Sequence, residues 1–243
     1  MNYLNVLFIS TLLLGKVSIA QTQHEIYIFP TLDQSVLELW SAAKNENIKE
    51  CTELLSEVKL NWLQVSNEMC VYETSKESID LFVKRVDDII ETLTKARFLK
   101  SYNYIELYSL RILFEFKDLR RQNELHYYSL DHLLDIYYQH YKIQKAANDP
   151  MLDLMEWTEF EHEIEVLKKA IDNYSLSCLS EALYLCDTGL NEENEIQLEI
   201  VKTCLNTLIE SLKHSNQDET IIPCEDLGYA IDNLLHLYIN WNL

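Results

Sequence analysis

Glycine and proline are scarce, three of each in 243 residues. An all-β fold of many short strands needs turn residues at nearly every connection, so that class is excluded. The same scarcity removes the glycine-rich loop that cradles a phosphate and the G-x-S-x-G turn that exposes a nucleophilic serine. No C-x-x-C is present among the six cysteines, which argues against a thioredoxin-like redox site and against covalent haem of the C-x-x-C-H kind. Their spacing is also wrong for a zinc knuckle. Catalysis has no motif to rest on, and the expectation is a protein that is not an enzyme and carries no cofactor.

Positive charge is short as well. Twenty Lys and Arg face forty Asp and Glu, a formal net charge of −20. Such a chain repels phosphate backbones and anionic head groups, so nucleic acid is not an expected partner. A basic protein surface or cations would be attracted, but solubility alone accounts for the excess.

What is present starts with an apolar run, Val6–Leu14, too short for the roughly 20 residues of a membrane span. Ser18 and Ala20 set small side chains before Gln21, the pattern of a signal peptide over residues 1–20, although no base precedes the run and Lys16 follows it. Loss of the one Lys16 charge would take −20 to −21. The expectation is a periplasmic or secreted protein with no membrane span after cleavage. Export would also allow disulfides. Four cysteines, Cys178, Cys186, Cys204 and Cys224, admit three pairings, while Cys51 and Cys204 lie on apolar helical faces as small buried hydrophobes would.

An apolar content of 48% with 25% charged residues suits a folded chain. Apolar residues recur at helical spacing almost throughout. Val36, Trp40, Ala43, Cys51, Leu54, Val58, Trp62 and Val65 form one stripe, broken at Asn45–Asn47. Ile79, Phe82, Val83, Val86, Ile90 and Leu93 form the next. Residues 102–121 are apolar nearly all round, which predicts a helix buried on several sides. Leu130, Leu133, Leu134, Tyr137 and Tyr141 follow, ending at Asn148-Asp149-Pro150, where Asp149 can cap a helix carrying Trp157, Phe160, Ile164, Leu167, Ile171 and Tyr174. After a loop at Gly189, Glu192, Glu193 and Glu195 suit a helix start. Pro223 then opens the last helix, with Leu227, Ala230, Ile231, Leu234 and Tyr238.

The halves echo one another. Leu32-Asp33 matches Leu130-Asp131, Leu37–Trp40 matches Asp135–Tyr138, Val86–Leu93 matches Leu205–Leu212, and Glu106-Leu107 matches Asp226-Leu227. The fold expected is all-α: tandem helical bundles of two similar four-helix units, residues 21–125 and 126–243, separate or fused as one domain, or alternatively a stack of helical hairpins. The turn in Trp40–Ile48 resembles that of a tetratricopeptide hairpin, but its 34-residue period does not recur.

One motif invites a direct test, Glu159-Phe-Glu-His162, of the Glu-x-x-His kind that di-iron bundles point inward. It occurs once, and the apolar stripe of its helix centres nearly opposite His162. The same arithmetic turns His132, His214 and His236 outward and leaves His140 on a flank. Met151 and Met155 fall on the polar side, against an axial haem role. Glu159, His162 and Glu163 remain weak candidates for an exposed metal site. Fifteen Tyr and four Trp suggest a binding surface, with Tyr127, Tyr128 and Tyr138 as interface candidates. The functional expectation is a non-catalytic exported binding or scaffolding protein that meets another protein or itself. The alternative is a periplasmic bundle that binds a small molecule or metal.

Overall fold

The structure is a computed structural model, and it describes residues 29–69, 76–124, 128–149, 154–180, 188–213 and 216–239. Among these, eight α-helices account for nearly all residues and no strand is present. They are α1 (Pro30–Lys44), α2 (Ile48–Met69), α3 (Lys76–Phe98), α4 (Tyr102–Gln122), α5 (Ser129–Ala147), α6 (Leu154–Ser180), α7 (Thr188–Leu212) and α8 (Asp218–Leu237). The protein is an all-α helical bundle. No helix among the described residues is long and apolar enough to cross a membrane. The expected signal segment, residues 1–20, lies outside the described residues.

The chain divides into two units at His126 and Tyr127. In the first, α1 packs on α2 and α4, α3 packs on α4, and α2 meets α3 less closely, so the four helices close a ring. Pro30 stands at the first turn of α1, where its missing N–H costs nothing. The core end of this unit is aromatic. Phe116 of α4 meets the edges or faces of Phe82, Trp62 and Phe29 at centroid distances of 5.0, 6.0 and 5.7 Å, all near perpendicular. Trp62 donates its indole N–H to Asp87 at 2.7 Å, tying α2 to α3. Beneath lies an ion pair with both side chains buried, Arg120 to Asp33 at 3.5 Å, between α4 and α1.

The second unit has the same order of neighbours. α5 packs on α6 and α8, α7 packs on α8, and α6 touches α7 sparingly. One residue each from α5, α6 and α7, and Tyr238 just past the end of α8, join in a buried hydrogen-bonded chain. The Tyr174 hydroxyl donates to Asn194 at 2.6 Å and pairs with the Tyr238 hydroxyl at 3.2 Å, and Tyr238 donates to Ser129 at 2.9 Å. With polar groups satisfied inside, the chain fixes the four helices in one register where apolar packing alone would allow sliding.

Scarce glycine does not leave the helices without ends. At the close of α1, Glu46 takes φ of 52°, Asn47 donates its N–H to Ala42 and Glu46 donates to Ala43. At the close of α3, Lys100 takes φ of 52°, with Ser101 donating to Ala96 and Lys100 to Arg97. Both are left-handed caps that satisfy the terminal carbonyls, built on residues that pay a steric penalty there. Asn47 also accepts the Glu50 N–H, starting α2 with only three residues between it and the end of α1.

Several boundaries differ from expectation. α8 opens at Asp218, so Pro223 sits inside it and removes the N–H that would bond Glu219. α7 opens at Thr188, so Gly189 is helical and the acids at 192, 193 and 195 lie past its first turn. The approach to α6 at residues 150–153, where Asp149 and Pro150 were expected to act, lies outside the described residues. The buried surround expected for residues 102–121 holds for Ser109–Arg120 but fails earlier, where Tyr104 and Leu107 are exposed. Burial across the sequence echoes is uneven. Leu32-Asp33 and Leu130-Asp131 are all buried, whereas Trp40 is buried and Tyr138 exposed, and Leu107 is exposed and Leu227 buried.

Candidate functional site

α3 carries its core face on Ile79, Phe82, Val86, Ile89, Ile90, Leu93 and Ala96. That periodicity ends at the last turn, and the next apolar residues, Phe98 and Leu99, point away from the core, 71% and 79% exposed. The left-handed cap at Lys100 reverses the chain immediately after them and holds them at the tip of a hairpin. On the returning strand of the hairpin, α4 adds Tyr104 and Leu107, also exposed, with Tyr104 stacked on Tyr108 at 6.2 Å. The guanidinium of Arg97 lies 4.1 Å from the Phe98 ring centre, a cation–π contact that braces the ring.

The charge at this corner is opposite to that of the chain. Between Glu91 and Glu106 there is no acid and there are three bases, Lys95, Arg97 and Lys100. Lys95 reaches back to Glu91 at 2.6 Å, and both are open to solvent, so that pair is of little energetic weight. Its hydrogen bond holds the Glu91 carboxyl below the usual range. Arg97, half-buried against the Phe98 ring, and the exposed Lys100 stand beside Phe98 and Leu99. Large apolar side chains gathered at one place on a surface are uncommon in monomers and mark contact sites.

A second exposed apolar feature lies on α7. Its core face is Asn194, Leu198, Val201, Leu205, Leu208 and Leu212. On another side, Ile196 (59% exposed), Ile200 (41%) and Cys204 recur every fourth residue, and with Glu195, Glu199 and Thr203 they line a shallow open groove. Partial burial, and then the nearby Asp226 carboxylate, push the Cys204 thiol up. Glu199 holds Lys202 at 2.8 Å.

A third feature is internal. His140 of α5 is buried, and its Nε2 lies 2.8 Å from the Cys224 carbonyl oxygen on α8. A carbonyl only accepts, so Nε2 carries the proton. The Cys224 sulfur lies 3.7 Å from the same nitrogen. Burial pushes that thiol up to about 12, with Glu225 adding to it, so it is no nucleophile at neutral pH.

The expected site residues fare differently. Glu159 and His162 are exposed on α6, as the helical arithmetic placed His162. Glu163 turns toward α5, where Lys142 approaches it at 2.7 Å and Gln139 donates to its carboxylate and, at 3.0 Å, to its backbone carbonyl. Those contacts, Lys142 first, hold its carboxyl below the usual range. No group of three or more His, Cys, Asp or Glu among the described residues is placed to hold a metal ion. Of the tyrosines, Tyr127 lies outside the described residues, and Tyr128 is buried, which corrects its assignment to a surface. Tyr138 is exposed. His132 and His236 are half-buried rather than outward, and His214 lies outside the described residues. Cys51, Cys204 and Cys224 are free thiols, so no pairing includes Cys204 or Cys224.

The hairpin corner escaped a reading based on helical faces because it is an end, not a face. Its signal was nonetheless present as the acid-free stretch of three bases and two adjacent apolar residues between Glu91 and Glu106. The chain matches no protein-family model, no curated protein and no solved structure.

Proposed function

We propose that this chain is an exported, non-catalytic helical protein that works by binding another protein or a second copy of itself through the α3–α4 corner. One observation carries the reading: Phe98 and Leu99 project from a closed turn, beside Arg97 and Lys100, on an otherwise acidic chain. A turn that only connected two helices would favour small polar residues, whereas an apolar tip with a cationic rim suits contact with a surface of complementary charge. Export rests on the Val6–Leu14 run and the Ser18-Ile-Ala20 cleavage pattern, and the working compartment proposed is the periplasm or the extracellular medium.

The test is retention of proteins from an envelope extract on the immobilised full chain, set beside the Phe98→Asp, Leu99→Asp double variant. Both positions are largely solvent-exposed, so the fold tolerates the change. A partner, or the chain itself, retained by the native protein and lost from the variant supports the reading. Equal retention by both sinks it.

A further inference from the structure

We infer that the partner of the α3–α4 corner is the α7 groove of a second copy of this chain, in a head-to-tail contact that repeats from copy to copy. The inference rests on the corner being a binding surface and adds what it binds. Both surfaces are apolar at their centre: the corner is tipped by Phe98 and Leu99, and the α7 feature is an open helix face carrying Ile196, Ile200 and Cys204. They are also complementary in charge. Arg97 and Lys100 flank the projection, whereas Glu195 and Glu199 flank the groove, with Glu192 and Glu193 one turn away. Lys202 offsets Glu199 in part, which leaves Glu195, Glu192 and Glu193 to meet the cations.

Each surface explains the other's exposed apolar residues. An amphipathic helix needs one buried stripe, yet α7 carries a second beside its core face. A partner other than this chain would need the same combination of apolar floor and acidic rim, and a chain of net charge −20 supplies it on its own surface. An anionic lipid surface fits less well, because contact through one corner would bring the rest of that negative charge toward the bilayer. Because the two surfaces differ, the contact is heterologous, and it either closes reciprocally between two copies or propagates to a larger ring or an open chain.

Sedimentation velocity on the full chain across the micromolar range tests the inference. Three proteins are compared: native, the corner variant (Phe98→Asp, Leu99→Asp) and a groove variant (Ile196→Lys, Ile200→Lys). All four positions are exposed, and circular dichroism checks that each variant stays helical. The native chain should associate with itself, less so as salt rises. Each variant alone should associate about tenfold more weakly. An equimolar mixture of the two should recover a dimer and go no further, because one intact corner and one intact groove remain. A native chain that stays monomeric overturns the inference. So does loss of association in the corner variant with the groove variant unaffected, which would mean corner-to-corner pairing, and so does sedimentation of the native chain with anionic vesicles but not with itself. In those cases capture of a different protein by the native chain and not by the corner variant would still leave the binding role standing.

Discussion

Gly228 packs against the ring of His140, so close that a methyl group on its Cα would come within 2.7 Å of Cε1 and 3.2 Å of Nε2. The missing side chain on α8 is what lets a buried imidazole enter between α5 and α8 and donate to the Cys224 carbonyl. Gly228→Ala should therefore act against its own propensity. Helix preference favours alanine by about 1 kcal/mol, but crowding a closed site costs about 1–3 kcal/mol, and the hydrogen bond is disturbed as well. Urea denaturation should show net destabilisation of about 1 kcal/mol in the native background. In a His140→Ala background the sign should reverse.

That contact also shows where sequence reading stops. Helical spacing alone identified Val58 and Trp62 on α2, Phe82, Val86 and Leu93 on α3, Phe160 to Tyr174 on α6, and Leu227 to Tyr238 on α8, and all of these apolar positions are buried. Large side chains at regular spacing have one way to leave water, so the pattern suffices. On α5 it did not. Tyr141 is exposed and His140 is buried, because the stripe runs through Leu133, Ile136, His140, Ile143 and Ala147. A histidine becomes a core residue only when another helix offers it room and an acceptor, and both come from Gly228 and Cys224, more than eighty positions away. Helix ends were legible where polar residues break the stripe, at Asn45–Asn47 after α1 and at Asn148 after α5. The left-handed caps at Glu46 and Lys100 were not, since they carry none of the glycine that would announce them.

Those caps give a second prediction. Glu46→Gly places at a left-handed position the one residue without a Cβ penalty. The penalty relieved is about 1–2 kcal/mol, offset by the larger entropy of glycine in the unfolded chain, about 0.4–1 kcal/mol. Thermal unfolding should report a gain of roughly 0.5–1 kcal/mol, against the usual direction for a glycine substitution.

The chain of hydroxyls in the second unit should behave as one element. Tyr238→Phe keeps the ring and removes the group that joins Tyr174 to Ser129. Leaving buried partners unsatisfied costs about 1–3 kcal/mol. Tyr229→Phe, on the exposed side of α8, should be within about 0.5 kcal/mol of native in the same denaturant titration.

Alkaline titration should single out Cys224. Its thiol has an ordinary value of 9.0 and is held at about 12 in the fold. Above the ordinary value the unfolded chain releases this proton while the folded chain keeps it, so the unfolded state binds fewer protons and stability falls as pH rises. The window runs from 9 to about 12, with a slope approaching about 1.4 kcal/mol per pH unit from this group. Tyrosines and lysines titrate there too, so the quantity to measure is the difference between native and Cys224→Ala. The variant should lose stability less steeply across that window. Parallel curves would contradict the assignment.

The central claim is that the α3–α4 corner is a contact surface. Its most direct test is a photoactivatable side chain placed at Leu99 in a cell that makes the chain, compared with the same group at Lys168 on the exposed side of α6. The account predicts a discrete cross-linked protein from position 99 and none from position 168. No adduct at 99, or the same adducts from both positions, would contradict it.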